Sequence, residues 1–445
     1  MKHSPYLLAT ALLGIVLLAL PVQPTWADLR IEVTKGVDNA VRVAVVPFEW
    51  QGSGALAESI SDIIDSDLML SGRFESLPVS QMLSLPHKPE QVFNRDWRML
   101  NVEYLVIGSV MAVADNRYRV SYSLYNVFKQ AVELKQTIEG DAGELRDLAH
   151  FVSDSVFKLL TGIEGAFSTR IMYVTASGPL TNRIYRLHIA DADGYRVETM
   201  LESKEPILSA SWSRDGRYIA YVSFEVDSRP AIFLRDVVNG TRQQLTNFPG
   251  LNGAPAFSPD GKQLAIVLSK DGNPDIYTLN LDDRRLRRVT RHYGIDTEPS
   301  WSPDGKGIIF TSNRGGQPQI YQIQLADLSV ERLTFEGDYN AKASVLPDGS
   351  GIVMVHRRDG IFHIAMLDLQ RGRLTVLTET SLDESPSIAP NGSMLIYATQ
   401  ADGEGILAAV SVDGGVKFNL PSSEGDVREP AWSPQKRRMF KPLSD

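Results

Sequence analysis

A short pattern, aromatic-Ser-Pro-Asp-Gly, returns at a nearly constant interval through the C-terminal two-thirds of this chain, and few architectures accept such a repeat. The copies are Trp212-Ser-Arg-Asp-Gly216, Phe257-Ser-Pro-Asp-Gly261, Trp301-Ser-Pro-Asp-Gly305, Val345-Leu-Pro-Asp-Gly349, Ile388-Ala-Pro-Asn-Gly392 and Trp432-Ser-Pro-Gln435, spaced by 45, 44, 44, 43 and 44 residues. A second marker keeps the same beat: Leu245-Thr246, Val289-Thr290, Leu333-Thr334, Leu377-Thr378 and Leu420-Pro421. A third falls between them: Ile232-Phe233, Ile276-Tyr277, Ile320-Tyr321 and His363-Ile364.

Each copy reads as four short strands, A to D. Strand A ends at the aromatic position, Pro and Asp suit the central positions of a type I turn, and Gly supplies the positive φ that follows. A single four-stranded sheet cannot bury both faces, so the copies must pack radially as a β-propeller. The last copy has strand A, Val427 to Ser433, and almost nothing after it, while the segment before the first copy lacks strand A but carries Arg170 to Thr175, Ile184 to Ile189 and Arg196 to Leu201. Joining the two completes a sixth blade from both ends of the domain and removes free sheet edges. The repeated Trp and Asp residues are therefore read as inter-blade packing and turn chemistry. Asp191-Ala-Asp-Gly194 has part of a calcium-loop pattern without its downstream bidentate Glu, and is read as a plain turn.

Chain direction singles out one face. The A→B turns are uniform and tight, whereas the D→A loops are longer and individual: Asn247 to Ala254, Arg291 to Glu298, Phe335 to Lys342, Glu379 to Glu384 and Pro421 to Glu429. Variable loops on a rigid scaffold carry binding residues, so the partner site is expected over the channel mouth on the D→A face. Arg291, His292 and Arg428 mix there with Asp296, Glu298, Asp383 and Glu384, a pattern that suits a protein surface better than a polyanion.

Residues 1–27 read as an address. Lys2 and His3 precede the 14-residue apolar run Leu7 to Leu20, too short to span a bilayer, and Thr25-Trp26-Ala27 offers small residues for cleavage between Ala27 and Asp28. Residues 28–165 read as an α/β domain with two helices on a mixed sheet, and residues 170–445 as the six-bladed all-β propeller. Asp28 to Thr34 alternates Leu29, Ile31 and Val33 with Arg30, Glu32 and Thr34, the period of a half-buried strand, and Gly36 to Asn39 is a flexible break. Arg42 to Phe48 is an apolar strand, and Leu56, Ile60, Ile63, Ile64 and Leu68 trace a helical stripe ending near Gly72. Strands follow at Tyr104 to Ala112, Arg117 to Val127 and Val132 to Ile138; Leu145, Leu148, Val152, Val156 and Leu159 mark a second helix stopped by Gly162. Glu164 to Thr169 is the linker, and the tail Lys436 to Asp445, with Lys436, Arg437, Arg438 and Lys441, reads as a solvated extension.

Composition narrows function. The chain has no Cys, which excludes disulfides, Cys-ligated metals and thiol catalysis, and none of its seven His has metal-ligand spacing. Its formal charge of −9, or −10 once Lys2 is cleaved away, argues against nucleic acid as a partner. Prolyl-oligopeptidase-type serine peptidases carry similar propellers, but they need an α/β-hydrolase domain, and Gly-x-Ser-x-Gly and His-Glu-x-x-His are absent throughout. A ligand-binding propeller is the other alternative to a protein-interaction scaffold. No cofactor is called for.

The export signal, the mature start Asp28 to Asn39, the strand Val43-Ala-Val-Val-Pro-Phe48 and the six blades together resemble the TolB family of the Tol–Pal envelope system, essentially end to end. Asn252-Gly-Ala-Pro-Ala-Phe-Ser-Pro-Asp-Gly261, Thr297-Glu-Pro299 and Asp383-Glu384-Ser-Pro386 carry the likeness most specifically. The resemblance implies a non-enzymatic periplasmic scaffold whose propeller binds the lipoprotein Pal and whose mature N-terminus, Asp28 to Thr34 within 28–39, binds the C-terminal domain of TolA. It would support outer-membrane integrity and inward movement of that membrane at division. The implied Pal surface comprises Leu251, Asn252, Gly253, Ala254, Thr297, Glu298, Asp383 and Glu384. Leu251 stands where the family commonly has a polar or basic residue, which implies an apolar contact here.

Overall fold

The computed structural model describes residues 31–33 and 40–443, except 115, 381, 402, 424 and 438. The expected leader 1–27 and its cleavage site lie outside the described residues, as do Asp28 to Arg30 and Thr34 to Asn39.

Six sheets of the repeat region form the blades of a ring. Blade 1 runs Ile207–Trp212, Tyr218–Val226, Arg229–Asp236 and Arg242–Gln244, each strand antiparallel to the next. Blades 2 to 5 repeat this order from Asn252, Asp296, Tyr339 and Glu384. Blade 6 is composite: Asp426–Lys436 pairs antiparallel with Thr169–Ser177, which leads on to Ile184–Asp191 and Glu198–Ser203. The expected clasp from both ends is present. Apolar cores lie between blades, as where Leu187, Ile189, Tyr221 and Phe233 join blade 6 to blade 1.

The second and third sequence markers keep register because they touch. In blade 2 the Thr290 hydroxyl accepts the Ile276 N–H at 2.9 Å while the Val289 N–H donates to the Ile276 carbonyl at 2.8 Å. Blades 1, 3 and 4 repeat the hydroxyl bond with Thr246 on Ile232, Thr334 on Ile320 and Thr378 on Ile364. This corrects one alignment: the blade 4 counterpart of the Ile-Tyr pair is Ile364-Ala365, one residue later than His363-Ile364, because Ile364 makes the bond to Thr378. In the A→B turns Ser258 donates to Asp260 at 2.6 Å, Asp260 accepts the Lys262 N–H at 3.0 Å, and Gly261 adopts φ +72°. The Asp residues of this motif therefore close turns. The indoles of Trp212 and Trp301 donate to Ala431 O and Ala256 O on the preceding blades, at 3.2 and 3.0 Å.

The N-terminal domain is a mixed sheet carrying helices. Val41–Val45 lies parallel to Phe74–Ser76 and to Tyr104–Val113, and Arg117–Asn126 and Ala131–Asp141 add antiparallel strands. Helix α1 (Ile60–Leu70) starts at Ser59, whose hydroxyl accepts the Asp62 N–H at 3.3 Å. A short helix, α2 (Asn94–Met99), was not anticipated, because its six residues are too few to show a period. Helix α3 (Leu145–Thr161) ends at Gly162 with φ +74°. Leu159 is 45% exposed and leaves the expected stripe; Val156 keeps its place in it, and Phe157 is buried at that turn instead of Leu159.

This domain sits against the A→B and C→D side of blades 5 and 6. Asn391 in a blade 5 turn donates to Glu164 O at 2.9 Å, Arg73 lies 3.9 Å from Asp413, and Arg196 pairs with Asp147 of α3 at 2.7 Å. The tail is also placed differently from the solvated extension expected. Phe440 is 7% exposed within the N-terminal core, because an aromatic ring gains more from that core than its short segment loses in freedom. Among the described residues no helix is long and apolar enough to cross a membrane.

The inter-blade indole bond is testable. Trp301→Phe should lower unfolding free energy by about 1 kcal/mol through loss of one hydrogen bond, and Trp301→Ala by about 3–5 kcal/mol through loss of packing, measured by urea denaturation.

Candidate functional site

The inner strand of each blade carries the same irregularity. Pairing slips between Leu208 and Ser211, Gly253 and Ala256, Thr297 and Ser300, Ala341 and Ser344, Glu384 and Ser387, and Arg428 and Ala431. At each slip one non-glycine residue takes a positive φ: Ser209, Ala254, Glu298, Lys342, Ser385 and Glu429, between +45° and +57°. In four of them Pro follows, at 255, 299, 386 and 430, and its missing N–H cannot serve a regular ladder. The bulge bends the inner strand and brings these six side chains to the wall of one channel cavity of about 350 Å³.

Three of the six are charged and meet. The Lys342 ammonium donates to Glu429 Oε2 and Ser385 Oγ, both at 2.7 Å. Glu298 Oε2 accepts the Lys342 N–H and the Thr311 hydroxyl, each at 2.8 Å. Burial presses the Lys342 pKa down, but Glu429 and Glu298 outweigh it and hold the ammonium above its usual range. Toward the D→A face the channel opens into a mouth of about 290 Å³ lined by Tyr339, Phe362, Leu382, Asp383 and Glu384.

The expected site residues divide by exposure. Leu251, 39% exposed, and Glu384 face solvent, and Thr297 is half-buried. Ala254 and Glu298 are bulge residues at the channel. Asn252 and Asp383 are 0% exposed: Asn252 Nδ2 donates to Phe248 O at 2.7 Å, and Asp383 accepts from Thr378, Thr380 and Thr399. Gly253, next to Asn252, is buried too. These three shape the loops, and their neighbours present the surface. Asp296 is likewise buried, held by Arg314 at 2.7 Å and Ser312 at 2.6 Å.

Sequence reasoning missed the apolar rim of this face. Tyr293 is 84% exposed, Phe335 74% and Ile295 47%, all in D→A loops already chosen by length. Their signal was available: large apolar residues inside otherwise polar loops. The N-terminal domain, seated on the opposite side, leaves this rim uncovered among the described residues.

A family model described as the TolB beta propeller domain matches residues 157–436, and another, the TolB amino-terminal domain, matches residues 29–132. The chain belongs to the TolB family. It is 59% identical over 408 residues to the Tol-Pal system protein TolB of Alcanivorax borkumensis, covering 92% of this chain and 93% of that one. It is 59% identical over 409 residues to the protein of the same name from a Marinomonas species, covering 92% and 94%. The crystal structure of TolB from Acinetobacter baumannii superposes with a TM-score of 0.83 at 45% identity, covering 92% of this chain and 100% of that one. Its place is thus in the Tol-Pal system, among TolB proteins and not among enzymes.

Two further features of this TolB-family chain concern the domain junction. Ile31–Val33 lies antiparallel on the outer strand of blade 5, pairing Ile31 with Phe418, Glu32 with Lys417 and Val33 with Val416. Part of the expected Asp28 to Thr34 strand therefore docks on the propeller. Beside it, Gly72 at the end of α1 packs so closely on Val416 that a Cβ there would fall 2.3 Å from its side chain.

Between the domains, Asp67, His150 and Asp193 bring three potential ligand atoms within 4.8 Å of one another. The protein's own cations already hold these carboxylates. His150 Nδ1 is 2.8 Å from Asp67, Arg146 pairs with Asp193, and Arg196 binds Asp191 at 2.6 Å. The calcium-loop-like aspartates thus serve interdomain ion pairs. Burial opposes charge on His150, yet Asp67, Asp193 and Asp191 push its pKa up to about 9.

A histidine of ordinary pKa near 6.5 is raised here, so its stabilising contribution is full below about pH 6.5 and is lost as pH rises through about 9. The melting temperature should fall across that window, and His150→Gln should flatten the fall when the two proteins are melted side by side.

Proposed function

We propose that this chain is a periplasmic scaffold that links Pal at the outer membrane to TolA of the inner-membrane complex, and so supports outer-membrane integrity and its inward movement at division. The observation that carries the Pal half is the uncovered D→A face, whose loops expose Leu251, Tyr293, Ile295 and Phe335. Exposed aromatic and aliphatic anchors around a satisfied polar centre are what a protein partner buries. The names of its relatives, Tol-Pal system protein TolB, agree with this reading.

The TolA half belongs to the mature N-terminus, residues 28–39. The described part of it, Ile31–Val33, is held by a three-residue backbone ladder. A ladder so short is easily exchanged for an equivalent one on another edge, with alternate side chains fixing register. Export depends on residues 1–27, with cleavage between Ala27 and Asp28, and association with membranes would run through protein partners alone.

The test is affinity capture from periplasm and solubilised outer membrane. The wild-type chain should recover a Pal-type lipoprotein, and Leu251→Glu or Tyr293→Ala with Phe335→Ala should reduce recovery at least tenfold without altering the melting temperature. Thr297→Arg alone is a cleaner probe than charge reversal at Glu298, which would break the bond to Lys342 N–H across two blades. Recovery of Pal at the wild-type level by all three variants would overturn the assignment of this face. Separately, deleting residues 28–39 should abolish binding to the TolA C-terminal domain in a titration while Pal capture persists; retained TolA affinity would overturn that half.

A further inference from the structure

The match to the TolB propeller ends at residue 436, and the segment beyond it is held at Arg437, Phe440 and Leu443. The inner strand of blade 6 leaves the ring at Lys436, whose Nζ lies 2.9 Å from Asp154 Oδ2 on α3. Arg437 donates its N–H to Ser168 O at 2.6 Å. Its guanidinium lies 3.2 Å from both Asp191 and Glu198 of blade 6 and 3.7 Å from Asp147 of α3. Phe440 then enters the N-terminal core edge-on to Phe151, with ring centroids 5.8 Å apart. Its ring occupies space beside Gly140, where a Cβ would sit 3.0 Å from Phe440 Cε1. Finally the Leu443 N–H donates to Thr137 O at 2.8 Å, on the sheet's outer strand Ala131–Asp141.

Three separate physical terms converge on this short segment. An edge strand offers backbone groups that another extended segment can satisfy. Gly140, lacking a side chain, leaves a hollow that an aromatic ring fills. A guanidinium set among carboxylates of both domains bridges them with charge-assisted bonds. Losing any of them would leave an open edge, a cavity or unbalanced buried acids.

We propose that the outer edge of the N-terminal sheet and the hollow beside Gly140 form a peptide-docking groove whose occupant is the chain's own C-terminal tail, so that Arg437, Phe440 and Leu443 strap the N-terminal domain to blade 6. The strap continues the strand that closes the ring. The N-terminal domain therefore cannot swing away from blade 6 without drawing Phe440 out of its core.

Hydrogen exchange read by mass spectrometry tests this on the full chain, on a chain ending at Lys436, on Phe440→Ser and on Arg437→Gln. The truncation and Phe440→Ser should speed exchange at least tenfold in residues 131–141 and in the linker 163–168, with blades 2 and 3 unchanged. A synthetic peptide of residues 436–445 should restore protection to the truncated chain, and the same peptide with Ser at position 440 should not. Exchange in both segments at the full-chain rate after truncation would overturn the proposal. Should truncation also loosen blades 2 and 3, Arg437→Gln decides: faster exchange confined to the linker supports the strap, and an unchanged linker overturns it.

Discussion

The pairing of Asp426–Lys436 with Thr169–Ser177 joins the two ends of the propeller, and the other features of the molecule depend on it. Each blade has its apolar faces covered mainly by its neighbours, so a ring with one missing contact would expose the facing surfaces of two blades at once. Closing the ring with a strand from the far end of the chain turns a row of marginal sheets into one cooperative unit. It also explains why a chain without cysteine can do without covalent closure.

The closure positions both surfaces that matter. Strand Asp426–Lys436 begins at the D→A face and ends against α3, so one strand spans the propeller from that face to the domain junction. At its start the repeated bulge places Glu429 on Lys342 across the channel. At its end it delivers Lys436 and Arg437 to carboxylates of the N-terminal domain. The charged groups inside the molecule are paired at both places, which is the condition for burying them.

Much of this was legible in the sequence because it follows from local chemistry repeated six times. The Ser-Pro-Asp-Gly turn needs only its own side chains, and the Thr-to-Ile bond spans only 14 residues in each blade where it occurs. Register between distant side chains was not legible. Glu298, Lys342 and Glu429 share one repeat position, yet nothing in the spacing says that their bulges aim them at a common point. The aspartates of Asp191-Ala-Asp-Gly194 read as turn residues because, Arg196 aside, their arginine partners, Arg146 and Arg437, lie far away in sequence. Asn252 and Asp383 were marked as contacts by their place in a specific motif; their burial depends on loops folding back over them.

The sequence by itself determined the number of blades, the clasp that closes them, the face with individual loops and the small mixed domain ahead of the ring. Each is a consequence of period, strand alternation or turn chemistry, which act over a few residues and leave a direct trace in composition. Only the tertiary structure decided where the N-terminal strand docks, how the buried His150 is charged, which loop residues face solvent and that the basic tail is an anchored segment. Those outcomes depend on side chains hundreds of residues apart sharing one low-dielectric space, and no local pattern records which of them will meet.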